Sequence, residues 1–285
     1  MDLALGLTGA AILLAASLGA AGQPVQVQAQ VQAQTQTPTP TQAGPQVMQY
    51  RLQAVADTTI FANQGGDTAY DATSDGSGPN IWTSVLAAGV TRRALIRFDL
   101  SAIPTGSQVV SASLQLFVVR ARDEHNLSLH RVLAPWGEGS SNGGDAGIGA
   151  PAQAGDATWS HRNWPNETWA QRGGDFVVTS SAVRAVGFGP ASYTLESTPA
   201  LVADVQAWLI APASNHGWML IGDDQGVQNA KRLASRQSDT ASARPTLVLS
   251  VLPAAADSGD VPLPPWALAL LAAGLAVGLA RRRRA

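Results

Sequence analysis

Two tryptophans in a polar stretch are the residues whose types and spacing best suit ligand binding. Trp164 and Trp169 lie in WSHRNWPNETWAQRGG, which contains a proline and lacks hydrophobic periodicity, so both are predicted on a loop. Aromatic rings on loops stack on sugars, because the apolar C–H face of a sugar meets the π cloud. Arg162 and neighbouring amide and carboxylate side chains offer polar contacts that orient a sugar. The alternative is a loop that its tryptophans pack down onto the fold.

A second candidate site is a glycine-rich acidic segment, GGDTAYDATSDGSGPN. It holds Asp67, Asp71 and Asp75, whose hard carboxylate oxygens suit calcium. The spacing is not that of an EF-hand, so a solvated, turn-rich loop is the alternative. Calcium is the one cofactor that the sequence suggests.

Catalytic patterns are missing from the sequence. It contains no G-x-S-x-G, no phosphate-binding P-loop and no H-E-x-x-H. The four histidines lack the spacing of a zinc site. Glu138 and Asp156 are a conceivable carboxylate pair for glycoside hydrolysis, but spacing in sequence does not establish their separation in space. The chain is therefore predicted not to be an enzyme, with no catalytic residues.

Composition excludes several further classes. The chain has 285 residues, no cysteine and a formal net charge of −2. Without cysteine there are no disulfides and no thiol chemistry, so the fold depends on packing or on packing with a bound ion. Nucleic-acid binding requires a basic footprint, which this balance of charge does not provide.

The N-terminal part resembles an export signal followed by a spacer. Residues 1–22 combine an apolar run with small residues at its end, as in a secretory signal peptide, although no basic residue precedes the run. A buried N-terminal helix is the alternative. Residues 23–49 are rich in Gln, Thr and Pro and are predicted to be a low-complexity linker.

The C-terminal part is predicted to enter a membrane. Residues 253–262 are predicted to be a linker. Residues 263–285 then contain an apolar run long enough for a membrane-spanning helix, with Trp266 at its start and four arginines at its end. The sequence VPLPPWALALLAAGLAVGLARRRRA resembles C-terminal sorting signals of the PEP-CTERM and IPTL-CTERM kind. That resemblance implies a sorting protease of the exosortase type as a partner. A plain single-span anchor is the alternative.

Between these ends, residues 50–252 have the pattern of one all-β domain. Short runs with period-two alternation are bounded by Gly, Pro, Asn and Ser, which indicates strands. Helical spacing is found at Leu201, Val205 and Trp208, with Thr198 as the N-cap, Pro199 in the first turn and a second proline at the end. The predicted fold is a jelly-roll-like β-sandwich with one short inserted helix.

The domain also resembles the DNRLRE domain, an extracellular β-sandwich module, over nearly its whole length. Seven segments that carry the likeness follow in order: VADTTIF (55–61), RALIRFDLSAIPTGSQVVSASLQLFV (93–118), LHRVLAPWGEGS (129–140), ATWSHR (157–162), GGDF (173–176), LVADVQAWL with NHGWMLIG (201–222) and LASRQSDTASARPTLVLSV (233–251). The chain departs from the pattern by a Gly-rich insertion at 140–155 and by the lack of a threonine in the helix segment.

The resemblance implies a secreted or cell-surface accessory domain, related to carbohydrate-binding modules that include alginate-binding ones. It implies no catalysis and supplies no site residues. The sequence thus predicts an exported protein of the cell envelope, membrane-tethered at least as a precursor, whose non-catalytic module binds polysaccharide. The alternative is a structural or adhesive surface protein whose partner is another surface protein.

Overall fold

The computed structural model describes residues 46–66, 68–87 and 89–254. The predicted signal peptide, most of the linker after it and the C-terminal sorting tail lie outside these residues. The described part contains strands β1 (Met48–Asn63), β2 (Thr73–Ser74), β3 (Asn80–Val85), β4 (Val90–Phe98), β5 (Gln108–Ala121), β6 (His125–Arg131), β7 (Ala150–Pro151), β8 (His161–Asn163), β9 (Glu167–Thr168), β10 (Ala182–Val186), β11 (Ala191–Leu195), β12 (Trp218–Ile221), β13 (Lys231–Ala234) and β14 (Thr246–Leu252). Its helix α1 is Pro199–Ile210, and 3-10 turns span Pro212–Ser214 and Ala241–Ala243. No helix in these residues has the length and apolar character to span a membrane.

The strands form two antiparallel layers that share strands β1 and β3. In the first layer, β5 lies between β11 on one side and β14 and β13 on the other. The second layer runs β10, β6, β12, β4, β1, β2, β7. Strand β1 pairs with β14 up to Gln53 and with β4 from Ala54, and a bulge marks the crossing. Strand β3 passes from β13 to β4 at Ser84, whose φ is 67°. The all-β, sandwich-like prediction is confirmed.

The main core lies between the two layers and follows the predicted alternation. The inward residues of β4 are Ala94, Ile96 and Phe98, and those of β5 run from Ala112 to Val118. Unbroken alternation with Ala112 would place Val110 inward as well, but Val109 is buried in its place. The reason is a bulge, since Ser250 pairs with Ser111 while Val251 pairs with Val109.

Helix α1 forms where its capping residues predict it. The Thr198 Oγ1 accepts a hydrogen bond from the Leu201 amide at 3.0 Å, and Pro199 occupies the first turn. Leu201, Val205 and Trp208 are buried in the main core. The helix therefore packs beside β5 and extends the core beyond the strands.

A second core covers the outer face of the second layer. Leu95 of β4 and Met219 of β12 are buried there against Trp136 and Trp169. Period-two alternation alone would place Leu95 on the outward face of β4 with Arg93 and Arg97. It is buried because residues 132–177 lie over this face of the sheet. Strand β4 is therefore buried on both faces, which differs from a half-exposed antiparallel strand.

Candidate functional site

Trp169 belongs to the second core and not to a surface. Its side chain is 5% exposed, and its Nε1 donates to the Thr158 carbonyl oxygen at 2.9 Å. A buried ring with a satisfied N–H offers no open face to a sugar. At this position the loop packs down over the fold, which is the alternative that the sequence left open.

Trp164 and Arg162 lie on the small β8–β9 hairpin. Trp164 is half-buried, and its ring meets that of His161 edge-on, with the centroids 4.6 Å apart. The Arg162 Nη1 lies 2.8 Å from the Glu167 carboxylate and donates to the Pro135 carbonyl oxygen at 3.3 Å. The polar groups expected to hold a sugar are thus partly engaged with one another.

The acidic segment divides its carboxylates among different partners. Asp67 lies outside the described residues. Asp71 forms an ion pair with Arg172. Asp75 is buried, its Oδ1 accepts from the Gly143 amide at 2.9 Å, and burial raises its pKa to about 6. Within the described ranges, no group of three or more Asp, Glu, His or Cys side chains is arranged to hold a metal ion. The calcium site stays a prediction.

Glu138 and Asp156 are each held by neighbouring groups. The Glu138 carboxylate forms a bidentate pair with Arg236 and accepts from the Asp57 amide at 3.0 Å. Asp156 is fully buried, and backbone amides of residues 140, 141 and 153 donate to it. Both carboxylates therefore stabilise the loop that carries them.

A different constellation crosses the outer face of the first layer. Trp82 on β3 is the cross-strand partner of Arg232 on β13, and Arg232 is also the partner of Arg120 on β5. Adjacent strands lie about 4.8 Å apart, so these three side chains stand in one row. Leu233 pairs with Val118 while Arg232 pairs with Arg120, so β5 has one extra residue between them. Because of this bulge, Arg120 faces outward although Val118, two residues earlier, faces the core.

This row lines an open cleft of about 180 Å³, here termed the Trp82 cleft. Arg122 and Gln228 add to its lining, and the Arg122 Nη1 donates to the Gln228 Oε1 at 3.2 Å. Asp145 is the acid of the cleft, and it accepts from the Arg232 Nη2 at 2.6 Å. Three guanidinium groups therefore face one carboxylate. The Arg120 guanidinium has no ion pair or side-chain hydrogen bond within the part of the chain that the structure describes.

Two N–H groups of the cleft residues lack acceptors. The Trp82 Nε1 and the Arg232 Nε are buried, and no described residue accepts a hydrogen bond from either. An unsatisfied buried donor costs about 1–3 kcal/mol, so an acceptor supplied by a ligand is favoured. Trp82 is only 7% exposed, so it offers the cleft little stacking surface.

A buried cation reinforces the positive charge of this region. Arg92 is fully buried, and its guanidinium carbon lies 5.2 Å from the centroid of the Trp82 ring. Its Nη1 donates to the Gly147 carbonyl oxygen at 3.1 Å. Burial lowers the pKa of Arg92 to about 10, so the group remains charged at neutral pH.

This cleft was not evident from the sequence. One signal was present, since Arg120 lies near the end of β5 and Arg122 follows two residues later, the spacing at which extended residues share a face. Nothing in the local pattern linked them to Trp82 or Arg232. No protein-family model matches the chain, and no curated protein shows significant similarity to it.

Proposed function

We propose that this chain is an exported, membrane-tethered or cell-surface module that binds acidic polysaccharide without catalysis. Its fold is proposed to be the jelly-roll-like sandwich of the DNRLRE domain. The observation that carries the proposal is the Trp82 cleft, where three arginines and two unsatisfied N–H donors surround one carboxylate.

The chemistry of the cleft suits the carboxylate of a uronic acid. A guanidinium presents a planar fork of donors that matches two carboxylate oxygens, and a hydrogen bond to a charged group contributes about 1.5–3 kcal/mol. Arg120 is exposed and has no side-chain partner among the described residues, so it can form such a fork without breaking a pair seen there. Polymer hydroxyls would contact Gln228 and Asp145 at the rim.

The proposed location depends on the ends of the chain. An export signal at residues 1–22 and a spanning segment at residues 263–285 would hold the domain outside the membrane, with the arginine cluster inside. In this proposal a protease of the exosortase type recognises the C-terminal tail at residues 263–285.

Binding of the purified full chain to a soluble polyuronate, with a neutral glucan as the comparison, tests the proposal. Arg120→Ala should weaken polyuronate binding about tenfold, equivalent to about 1.4 kcal/mol, and Trp82→Phe, which removes the N–H together with part of the ring, should weaken it severalfold. Arg184→Ala, the same change on the exposed strand β10, is the matched control and should bind normally. Raised salt should weaken binding, since the contacts are ionic. Polyuronate binding that is unchanged in Arg120→Ala and Trp82→Phe would refute this site.

A structural or adhesive role without a small ligand is the second candidate. Strands β10 and β11 each pair along one side only among the described strands, and the exposed Val183 and Phe188 lie on or beside them. Such an edge is a template for strand addition by another chain. Concentration-dependent self-association in sedimentation, abolished by Val183→Lys and accompanied by no binding to any polysaccharide, would favour this role.

A further inference from the structure

A second cleft of about 340 Å³, here termed the Trp159 cleft, opens near the Trp82 cleft. Its lining includes Gln64, Thr91, Arg93, Trp159, Arg172 and Asp224. These residues come from strand β4, from the turn directly after β1, from the segment that covers the second layer and from the loop before β13. The mixture of an aromatic ring, amides, hydroxyls and charges differs from the arginine-rich lining of the Trp82 cleft.

Asp224 supplies an acceptor that nothing in the described chain uses. Its Oδ2 accepts from the Arg93 Nε at 2.8 Å, while its Oδ1 is buried without a hydrogen-bond partner in the described residues. The Arg93 guanidinium stacks 4.6 Å from the centroid of the Trp159 ring and also donates to the Gly173 carbonyl oxygen at 2.8 Å. The carboxylate is thus held in place beside an aromatic ring. A neutral hydroxyl that donates to the free oxygen would satisfy it.

One loop separates the two clefts. Asp224 lines the Trp159 cleft and Gln228 lines the Trp82 cleft. Four residues of chain extend at most about 14 Å, so these two lining residues lie within that distance of each other. A polymer that leaves one cleft would meet the other after crossing this loop.

The loop is held rigidly enough to act as a fixed divider. The Gln64 Nε2 donates to the carbonyl oxygens of Asp224 and Gly226, at 3.2 and 3.1 Å. The buried Asn229 accepts from the Val85 amide at 2.7 Å and donates to the Asp223 carbonyl oxygen at 2.9 Å. Gln64 directly follows β1 and Val85 ends β3, so the loop is tied to the ends of two strands before a ligand arrives.

We propose that the two clefts are subsites for one polysaccharide chain that crosses the loop at residues 223–228. The Trp82 cleft takes a carboxylate of the chain, and the Trp159 cleft takes hydroxyls of another unit of the same chain, with Asp224 as their acceptor. This inference rests on the proposed function and adds that the ligand is a polymer bound at two points. Occupying both subsites makes the second contact intramolecular, so affinity rises with chain length.

Calorimetry on the purified full chain with oligouronides of graded length, from the dimer to the decamer, tests the inference. The wild-type affinity should rise at least about tenfold along this series, beyond the statistical gain from added units. Asp224→Asn should bind the dimer as the wild type does and lose most of the gain with length. Asp223→Asn, the same change at the exposed neighbouring residue, should keep the gain.

The outcomes separate the two proposals. A gain with length that Asp224→Asn retains would overturn the second subsite and leave the Trp82 site intact. If no oligouronide of any length binds the wild type, or if Arg120→Ala has no effect, the proposed function itself fails. Should Asp224→Asn melt well below the wild type, Arg172→Ala decides instead, because Arg172 is exposed in the same cleft and, among the described residues, its side chain pairs with Asp71 alone.

Discussion

Arg232 lies across the ring of Trp82, with its guanidinium carbon 5.6 Å from the ring centroid. The two residues are direct cross-strand partners on β13 and β3, and each carries a buried N–H without an acceptor in the described residues. Strand pairing, and not loop conformation, sets their positions. A ligand that fills this cleft would therefore meet donors held on a rigid sheet.

Trp169 should contribute to stability. Replacing it by alanine empties part of the second core and removes the donor to the Thr158 carbonyl oxygen, which should cost about 3–5 kcal/mol in the free energy of unfolding. Trp164→Ala at the half-buried hairpin position should cost less. Urea denaturation of both variants measures the difference. A stable Trp169→Ala variant that has lost polysaccharide binding would instead support a direct role of this ring in binding.

The pair of Glu138 and Arg236 should stabilise the loop that covers the second layer. Glu138→Gln removes the charge from a bidentate, partly buried pair, which should cost about 1–3 kcal/mol. Glu167→Gln, which weakens the more exposed pair with Arg162, is the matched control and should cost less than about 1 kcal/mol. Equal effects in chemical denaturation would contradict a special role for Glu138.

Asp57 should make the protein less stable as pH rises. Burial raises its pKa from 3.8 to about 7, so the folded state holds a proton that the unfolded state releases. The stabilising contribution of this proton is complete below the unfolded pKa and is lost as pH rises through about 7. Asp75, with its pKa raised to about 6, acts in the same direction.

The variant Asp57→Asn isolates this effect, because its amide oxygen can still accept from the Arg236 backbone amide. His125, His130 and His216, whose pKa values burial lowers, act in the opposite direction in both proteins. The stability of the variant minus that of the wild type should therefore rise by about 4 kcal/mol between about pH 4 and about pH 8. A difference that stays constant across this window would show that burial does not raise the pKa of Asp57 in the folded state.

Thr198 should stabilise helix α1 through two side-chain hydrogen bonds. Thr198→Ala removes the cap on the Leu201 amide and the bond to the Ser181 carbonyl oxygen, which should cost about 1–2 kcal/mol. Thr240 precedes the 3-10 turn without a side-chain cap bond, so Thr240→Ala is the matched control and should lie within about 0.5 kcal/mol of the wild type. Thermal unfolding of both variants, followed by circular dichroism, measures the two costs. Equal losses would show that the Thr198 cap adds nothing.

Local pattern was sufficient for several features of this protein. Period-two alternation predicted the inward residues of β4 and most of those of β5, and capping residues predicted α1 from its start to its end. Composition excluded disulfides and thiol chemistry, because both depend on a residue type that is missing from the sequence. Each of these follows from residues that are neighbours along the chain.

Only the tertiary structure decided which strands lie side by side and which polar stretches are covered. Alternation shows which face a residue occupies, but it does not reveal the neighbouring strand, so the row of Arg120, Arg232 and Trp82 could not be read from the sequence. Bulges in β5 then shifted the face of Arg120 and Val110 by one residue. The sequence also left open whether the loop with Trp164 and Trp169 binds a sugar or packs onto the outer face of a sheet. Packing against Leu95 and Met219 decided it for Trp169, because burying a large ring against an apolar sheet face removes both surfaces from water.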